Sequence, residues 1–145
     1  MGALTAEDRE AVRDLMARYA WHLDHGAWDE WRALFAPDGR WGSEGDRPFV
    51  GQDALGKLAE NLTKRREGAP PSRHFIVGGW LSAVAGGARL RTYVAVMLPA
   101  SGEIKTVGEY DVTFVRAASG WRIRELLFVP VGAAAPAAAE ERSAP

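Results

Sequence analysis

Apolar residues recur at a helical period over the first part of the chain and at a strand period over the second. Val12, Leu15, Met16, Tyr19, Ala20 and Leu23 fall on one stripe of a helix. Thr5 followed by Asp8 resembles a capping box that opens this helix, and Gly26 is a natural stop. A second, short helix is predicted over 28–35, packing Trp28, Trp31, Leu34 and Phe35, before Pro37-Asp38-Gly39 turns the chain. A short strand around 40–42 and a polar loop over 43–47 follow. A third helix over 52–65 turns Leu55, Leu58, Ala59 and Leu62 inward and breaks at Glu67-Gly68-Ala69-Pro70-Pro71.

From Ser72 the period changes to strands, and four are predicted, at about 73–84, 88–98, 104–116 and 121–130. Gly86-Gly87, Ser101-Gly102 and Ser119-Gly120 supply the turns between them. Three N-terminal helices followed by a long meander define an α+β domain, the helices covering one face of a curved antiparallel sheet. Residues 1–131 form this single domain. The Ala- and Pro-rich segment 132–145 is expected to be a mobile tail, able to serve as a lid.

With 145 residues the chain can bury one core. Its net charge of -1, without a basic cluster, argues against a nucleic-acid partner; Lys64-Arg65-Arg66 suits a helix end. The absence of cysteine removes disulfides, thiolate nucleophiles and thiolate-bound metals. The polar start has no signal-peptide pattern and no apolar run would span a bilayer, so a cytoplasmic protein is expected. Nucleotide-cradling and serine-nucleophile motifs are missing, and no redox cofactor is expected.

Asp24 stands on the apolar stripe, four residues after Ala20 and eight after Met16. A buried carboxylate is costly unless paired, so Asp24 is either a functional acid or base or a cap for the next helix. His74 opens the first long strand, and alternation puts His74, Ile76, Gly78 and Trp80 on one face. It can exchange a proton near neutrality or be a satisfied core histidine. Gly78-Gly79 beside it would leave room for a ligand. Tyr19 shares the stripe with Asp24 and either donates to a substrate oxygen or packs. Alternation separates Glu109 and Asp111 from Tyr110, so one polar group of this run faces a pocket. Glu125 is a further inward candidate unless an arginine pairs with it. His22 and His25 have a spacing that two metal ligands can use, but no third ligand is evident, and a solvated helix end is the expectation.

The run from Arg18 to Gly39 resembles the opening of SnoaL-like proteins, in the superfamily of nuclear transport factor 2, ketosteroid isomerase and scytalone dehydratase. Further matches are the Gly51 turn, Ser72-Arg73-His74-Phe75, Gly108-Glu109-Tyr110-Asp111 and Ser119-Gly120-Trp121-Arg122-Ile123, spanning about residues 5 to 130. The resemblance implies a cone-shaped α+β barrel that dimerises with a second copy through the outer face of its sheet. It implies a cofactor-independent cyclase, isomerase or dehydratase for a hydrophobic, oxygenated small molecule, polyketide- or steroid-like. Tyr19 would polarise a substrate oxygen, and Asp24 would hold His74 while His74 moves the proton. Met16, Trp41, Leu58, Trp80, Glu109, Tyr110 and Phe128 would line the substrate pocket, although the tryptophans equally suit a core. No second histidine stands near 105–109, and Val96 stands where bile-acid dehydratases carry an acid. The alternatives are a cyclase that works by shape, or a non-catalytic binding and dimerisation module.

Overall fold

A computed structural model of the chain describes residues 2–131, and the expected tail lies outside them. Helix α1 spans Ala6–His25, α2 Trp28–Ala33 and α3 Gln52–Arg66. The strands are β1 Phe35–Ser43, β2 Phe49–Val50, β3 Arg73–Val84, β4 Gly87–Leu98, β5 Glu103–Ala117 and β6 Gly120–Pro130. Together the strands form one open sheet in the order β2-β1-β6-β5-β4-β3. Strands β3 to β6 are the predicted antiparallel meander. β1 joins parallel to β6, which makes the sheet mixed. The short β2, which follows the expected polar loop, pairs antiparallel with β1 and is a strand the sequence pattern does not predict. Three helices on a curved sheet are thus the α+β fold anticipated.

Local chemistry explains the helix limits. Thr5 Oγ1 accepts from the Asp8 N–H and Asp8 Oδ2 accepts from the Thr5 N–H, each at 3.0 Å. Aspartate completes the box with one oxygen, so its other oxygen accepts from Arg116 (2.5 Å) and from the Trp121 indole (3.3 Å). The start of α1 is thereby fastened to the far end of the meander. At the other end Gly26 adopts φ 67 and closes the helix. α2 stops at Ala33, because Phe35 and Ala36 enter β1 and the Pro37-Asp38-Gly39 segment becomes an irregularity in that strand, not a turn.

Two bulges set which side chains face the helices. Gly78 and Gly79, with φ 66 and 138, stand opposite the single residue Thr92 between the pairs Val77↔Tyr93 and Trp80↔Arg91. A β-carbon on Gly79 would meet Leu90 at 2.8 Å, and the Thr92 hydroxyl donates to the Val77 carbonyl at 3.0 Å. One inserted residue reverses the alternation, so Leu81 turns inward and Trp80 outward, 68% exposed. Arg124 likewise interrupts the pairing of β6, so Leu126 is buried and Glu125 faces outward.

The core lies between the inner sheet face and the stripes of α1, α2 and α3, with Trp31, Tyr19, Phe114, Leu15, Leu55 and Ile123 fully buried. Each such apolar side chain contributes about 1.5–3 kcal/mol. α1 runs antiparallel to the edge strand β3. Near its start Arg9 donates to the Leu81 carbonyl (3.3 Å), and at its end Asp24 accepts the His74 backbone N–H (2.9 Å).

The hydrogen bond from the Thr5 N–H, with help from Arg116 and Trp121 and against burial, lowers Asp8 from 3.8 to about 2. A carboxylate depressed on folding stabilises the fold above its unfolded value, and that contribution fades as pH falls toward 2. Asp8→Asn is therefore expected to lower Tm at pH 7, with the gap to wild type shrinking between pH 4 and pH 2 in thermal melts. A gap independent of pH would contradict this role for the carboxylate.

Candidate active site

Asp24 occupies the last turn of α1, on the stripe that faces the sheet. Its Oδ1 lies 2.6 Å from His74 Nδ1, and its Oδ2 accepts the His74 backbone N–H at 2.9 Å. The side chains are 5% and 13% exposed. Both carboxylate oxygens are spent on one residue, and α2 has no side-chain cap, so Asp24 is not the cap of α2. With a carboxylate as acceptor, Nδ1 carries a proton and Nε2 is the nitrogen left for other work. Nε2 has no hydrogen-bond partner among the described residues.

His74 lines a cavity of about 400 Å³ between α1 and β3. Arg13, Met16, Ala17 and Ala20 form the helix wall, and residues 74–78 with Leu90 form the strand wall. Consecutive residues of a strand point to opposite faces, so a wall made of five in a row means that the groove follows the unpaired edge of β3. Ala17 and Ala20 keep the helix surface low, which opens the space.

Tyr19 is fully buried behind this wall. Its hydroxyl accepts from the Trp41 indole at 2.9 Å, and its ring meets Tyr110 edge-on with centroids 5.9 Å apart. Burial, reinforced slightly by the charge of Asp24, raises Tyr19 to about 12. Burial also raises Tyr110 well above 10, so both phenols keep their protons. Around the end of α1, Arg66 donates to the Leu23 carbonyl at 2.6 Å and its guanidinium lies 5.1 Å from the centre of the Trp28 ring. Partial burial lowers its pKa, against the pull of nearby Asp24.

The residues expected to line a substrate pocket divide. Met16 lines the groove with His74. Leu58 and Tyr110 are buried in the core, and Trp41 and Phe128 pack against it. Trp41 is drawn in by the Tyr19 hydroxyl, while Phe128 lies over Gly108 and beside Tyr110. Trp80 and Glu109 do not share the groove of His74: both lie on the outer sheet face, where they line a second cavity with Arg91 and Tyr93, Trp80 because of the Gly78-Gly79 bulge and Glu109 because it pairs with outward Tyr93. Asp111 is on that face too, held by Arg89 at 2.5 and 2.8 Å. Glu125 is not inward but pairs with Arg40 at 3.1 Å. His25 contacts the Trp21 carbonyl at 2.7 Å and stacks on its ring, and no group of three metal-binding side chains occurs among the described residues. Sequence reasoning missed Arg13 and Arg66. Arg13 shares a helical spacing with Ala17 and Ala20, a small-residue strip beside the apolar stripe that could have marked the groove.

The family model of the SnoaL-like domain matches residues 4–126. The chain belongs to the SnoaL-like family. No curated protein sequence is a significant match. Among solved structures the SnoaL-like chain is similar to an NTF2-like protein with a cystatin-like fold from Novosphingobium aromaticivorans. The two are 28% identical with a TM-score of 0.79, over 92% of this chain and 88% of that one. A protein from Catenulispora acidiphila in complex with S-DNPA is 21% identical with a TM-score of 0.75, over 87% and 95% of the chains. A scytalone dehydratase-like protein from Novosphingobium aromaticivorans is 20% identical with a TM-score of 0.70, over 85% and 83%. These last two likenesses establish the shared fold. Among the described residues of this SnoaL-like protein no helix is long and apolar enough to cross a membrane.

Tyr19→Phe leaves the Trp41 indole N–H without its acceptor. It is expected to lower stability by about 1–3 kcal/mol in urea denaturation. Stability equal to wild type would mean that the Tyr19–Trp41 bond does not hold the interior together.

Proposed function

We propose that this SnoaL-like protein is a small-molecule cyclase or dehydratase in which His74 moves the proton and Asp24 holds His74 in place. The observation that carries the reading is the two-point contact of Asp24 with His74 at a groove of substrate size. Membership of the family supports the class of reaction, and the Catenulispora relative that holds S-DNPA supports an organic ligand for this fold.

In a dehydration, His74 Nε2 removes the proton beside a substrate carbonyl, forming the enol or enolate. The imidazolium then returns that proton to the β-hydroxyl, which leaves as water while the carbon–carbon double bond forms. In a cyclisation of the aldol type, the same proton goes to the new alkoxide. Asp24 stabilises the imidazolium while it lasts. Tyr19, which keeps its proton, is buried away from the groove and steadies the interior behind the dyad instead of meeting a substrate oxygen.

Asp24→Asn keeps the side-chain shape but replaces one acceptor oxygen with an amide that competes for the wrong tautomer. Turnover of an aromatic β-hydroxy ketone is expected to fall about 10²- to 10⁴-fold in kcat with Asp24→Asn or His74→Gln. Full turnover in both variants would leave a cyclase that works by shape.

The outer sheet face supports a homodimer. Val77, Trp80, Tyr93 and Val107 are all exposed there, Tyr93 at 67%, and contiguous apolar surface of this kind marks an interaction site. Light scattering is expected to give twice the 15.8 kDa chain mass, and Trp80→Glu with Tyr93→Arg to restore the monomer. A monomer at every concentration of wild type would overturn the assembly.

A further inference from the structure

Arg66, the last residue of α3, meets two other helices at once. Its Nη1 donates to the Leu23 carbonyl of α1 at 2.6 Å, and its guanidinium carbon lies 5.1 Å from the centre of the Trp28 ring at the start of α2. Its own backbone is fixed by the turn after α3, where the Ala69 N–H reaches the Arg66 carbonyl at 3.1 Å. The side chain therefore reaches α1 from a fixed base, 43 residues further along the chain.

The carbonyl it takes is the one that most needs a donor. A helix ends in carbonyls that have no partner in a following turn. At the end of α1 the Ala27 N–H goes to the His22 carbonyl at 3.0 Å, while the Gly26 N–H reaches the Leu23 carbonyl only at a long 3.4 Å. Leu23 is buried, so water is a poor substitute. Its carbonyl shares one rigid peptide plane with the N and Cα of Asp24. Whatever holds that carbonyl also holds the base of the Asp24 side chain.

The contact is electrostatic as well. Partial negative charge gathers at the last carbonyls of a helix, where it opposes the anion of Asp24. The guanidinium offsets that charge and attracts the carboxylate too. Burial lowers the Arg66 pKa, Asp24 of α1 raises it and Arg73 of β3 lowers it, so charges from two other elements act at this spot. An arginine stays protonated there. A lysine would bring a point charge without a flat group to lie on Trp28.

We propose that Arg66 is a positioning residue for the dyad, holding the Leu23–Asp24 peptide so that Asp24 keeps both of its bonds to His74. The effect of Arg66 on a reaction rests on the proton-transfer reading of His74, whereas its hold on the Asp24–His74 geometry does not.

The measurement is the His74 Nδ1 proton in NMR spectra of the full chain at pH 7. A proton held in a 2.6 Å bond to a carboxylate is strongly deshielded and exchanges slowly with water. Wild type is expected to show it downfield of the amide and indole protons. Arg66→Met and Arg66→Gln should move it upfield or broaden it away, and Arg66→Lys, which keeps the charge and one donor, should give a smaller shift. Arg65→Met, at the exposed neighbouring position, should leave it in place. A loss of overall stability does not by itself move a native-state resonance, so the signal separates positioning from mere support. In turnover of the aromatic β-hydroxy ketone, kcat is expected to fall about 10- to 100-fold in Arg66→Met, with KM little changed. A wild-type signal in any folded variant at position 66, or no downfield signal in wild type, overturns the proposal. If the signal moves as expected but wild type turns over no substrate, the positioning role stands and the acid–base reading is the one that fails.

Discussion

The arrangement depends on a single buried carboxylate that finds both of its partners in one residue of another element. Asp24 is nearly shielded from water at the end of α1, beside helix carbonyls that repel its charge. Its two bonds to His74, one to the ring and one to the backbone, offset that cost and fix the end of the helix to the start of β3. Arg66 compensates the same spot from α3, by taking the Leu23 carbonyl and placing a cation near the acid. Remove the carboxylate, and the helix end, the strand start and the imidazole each lose a constraint.

Behind the dyad the interior is aromatic and tightly tied. Tyr19 meets Trp31, Phe35 and Tyr110 at centroid distances of 6.1, 6.3 and 5.9 Å, and Trp41 holds its hydroxyl. Such pairs add directional preference to apolar burial. α1 is thus fixed in rotation about its axis, which keeps Asp24 aimed at β3 and keeps Met16, Ala17 and Ala20 on the groove. The placing of Asp24 against His74 thus depends on how a helix is clocked against a sheet as much as on the two side chains.

Features governed by near neighbours were legible in the sequence. The Thr5/Asp8 cap, the Gly26 stop, the stripe of α1 and three hairpin turns all follow from residues within a few positions of each other. Asp24 could be placed on the buried side by spacing alone, but its partner His74 is fifty residues away, and resemblance, not periodicity, connected them. Alternation failed at the two bulges. Gly78-Gly79 reads as open space on a regular strand, and nothing local says that one residue is extra, so alternation puts Trp80 on the face opposite to the one it occupies. The extra residue Arg124 turns Glu125 outward in the same way. The parallel pairing of β1 with β6 depends on contacts across almost the whole domain, beyond any local pattern.

The lateral margins of the sheet are closed off by different means. On one side β2 is only two residues long, too brief to template another chain. On the other, β3 would offer a long row of unsatisfied amides and carbonyls, but Asp24 takes one near the start and Arg9 another at Leu81. A row so guarded resists edge-to-edge aggregation. The helix that walls the groove therefore also covers a strand edge that would otherwise be open to pairing with another chain.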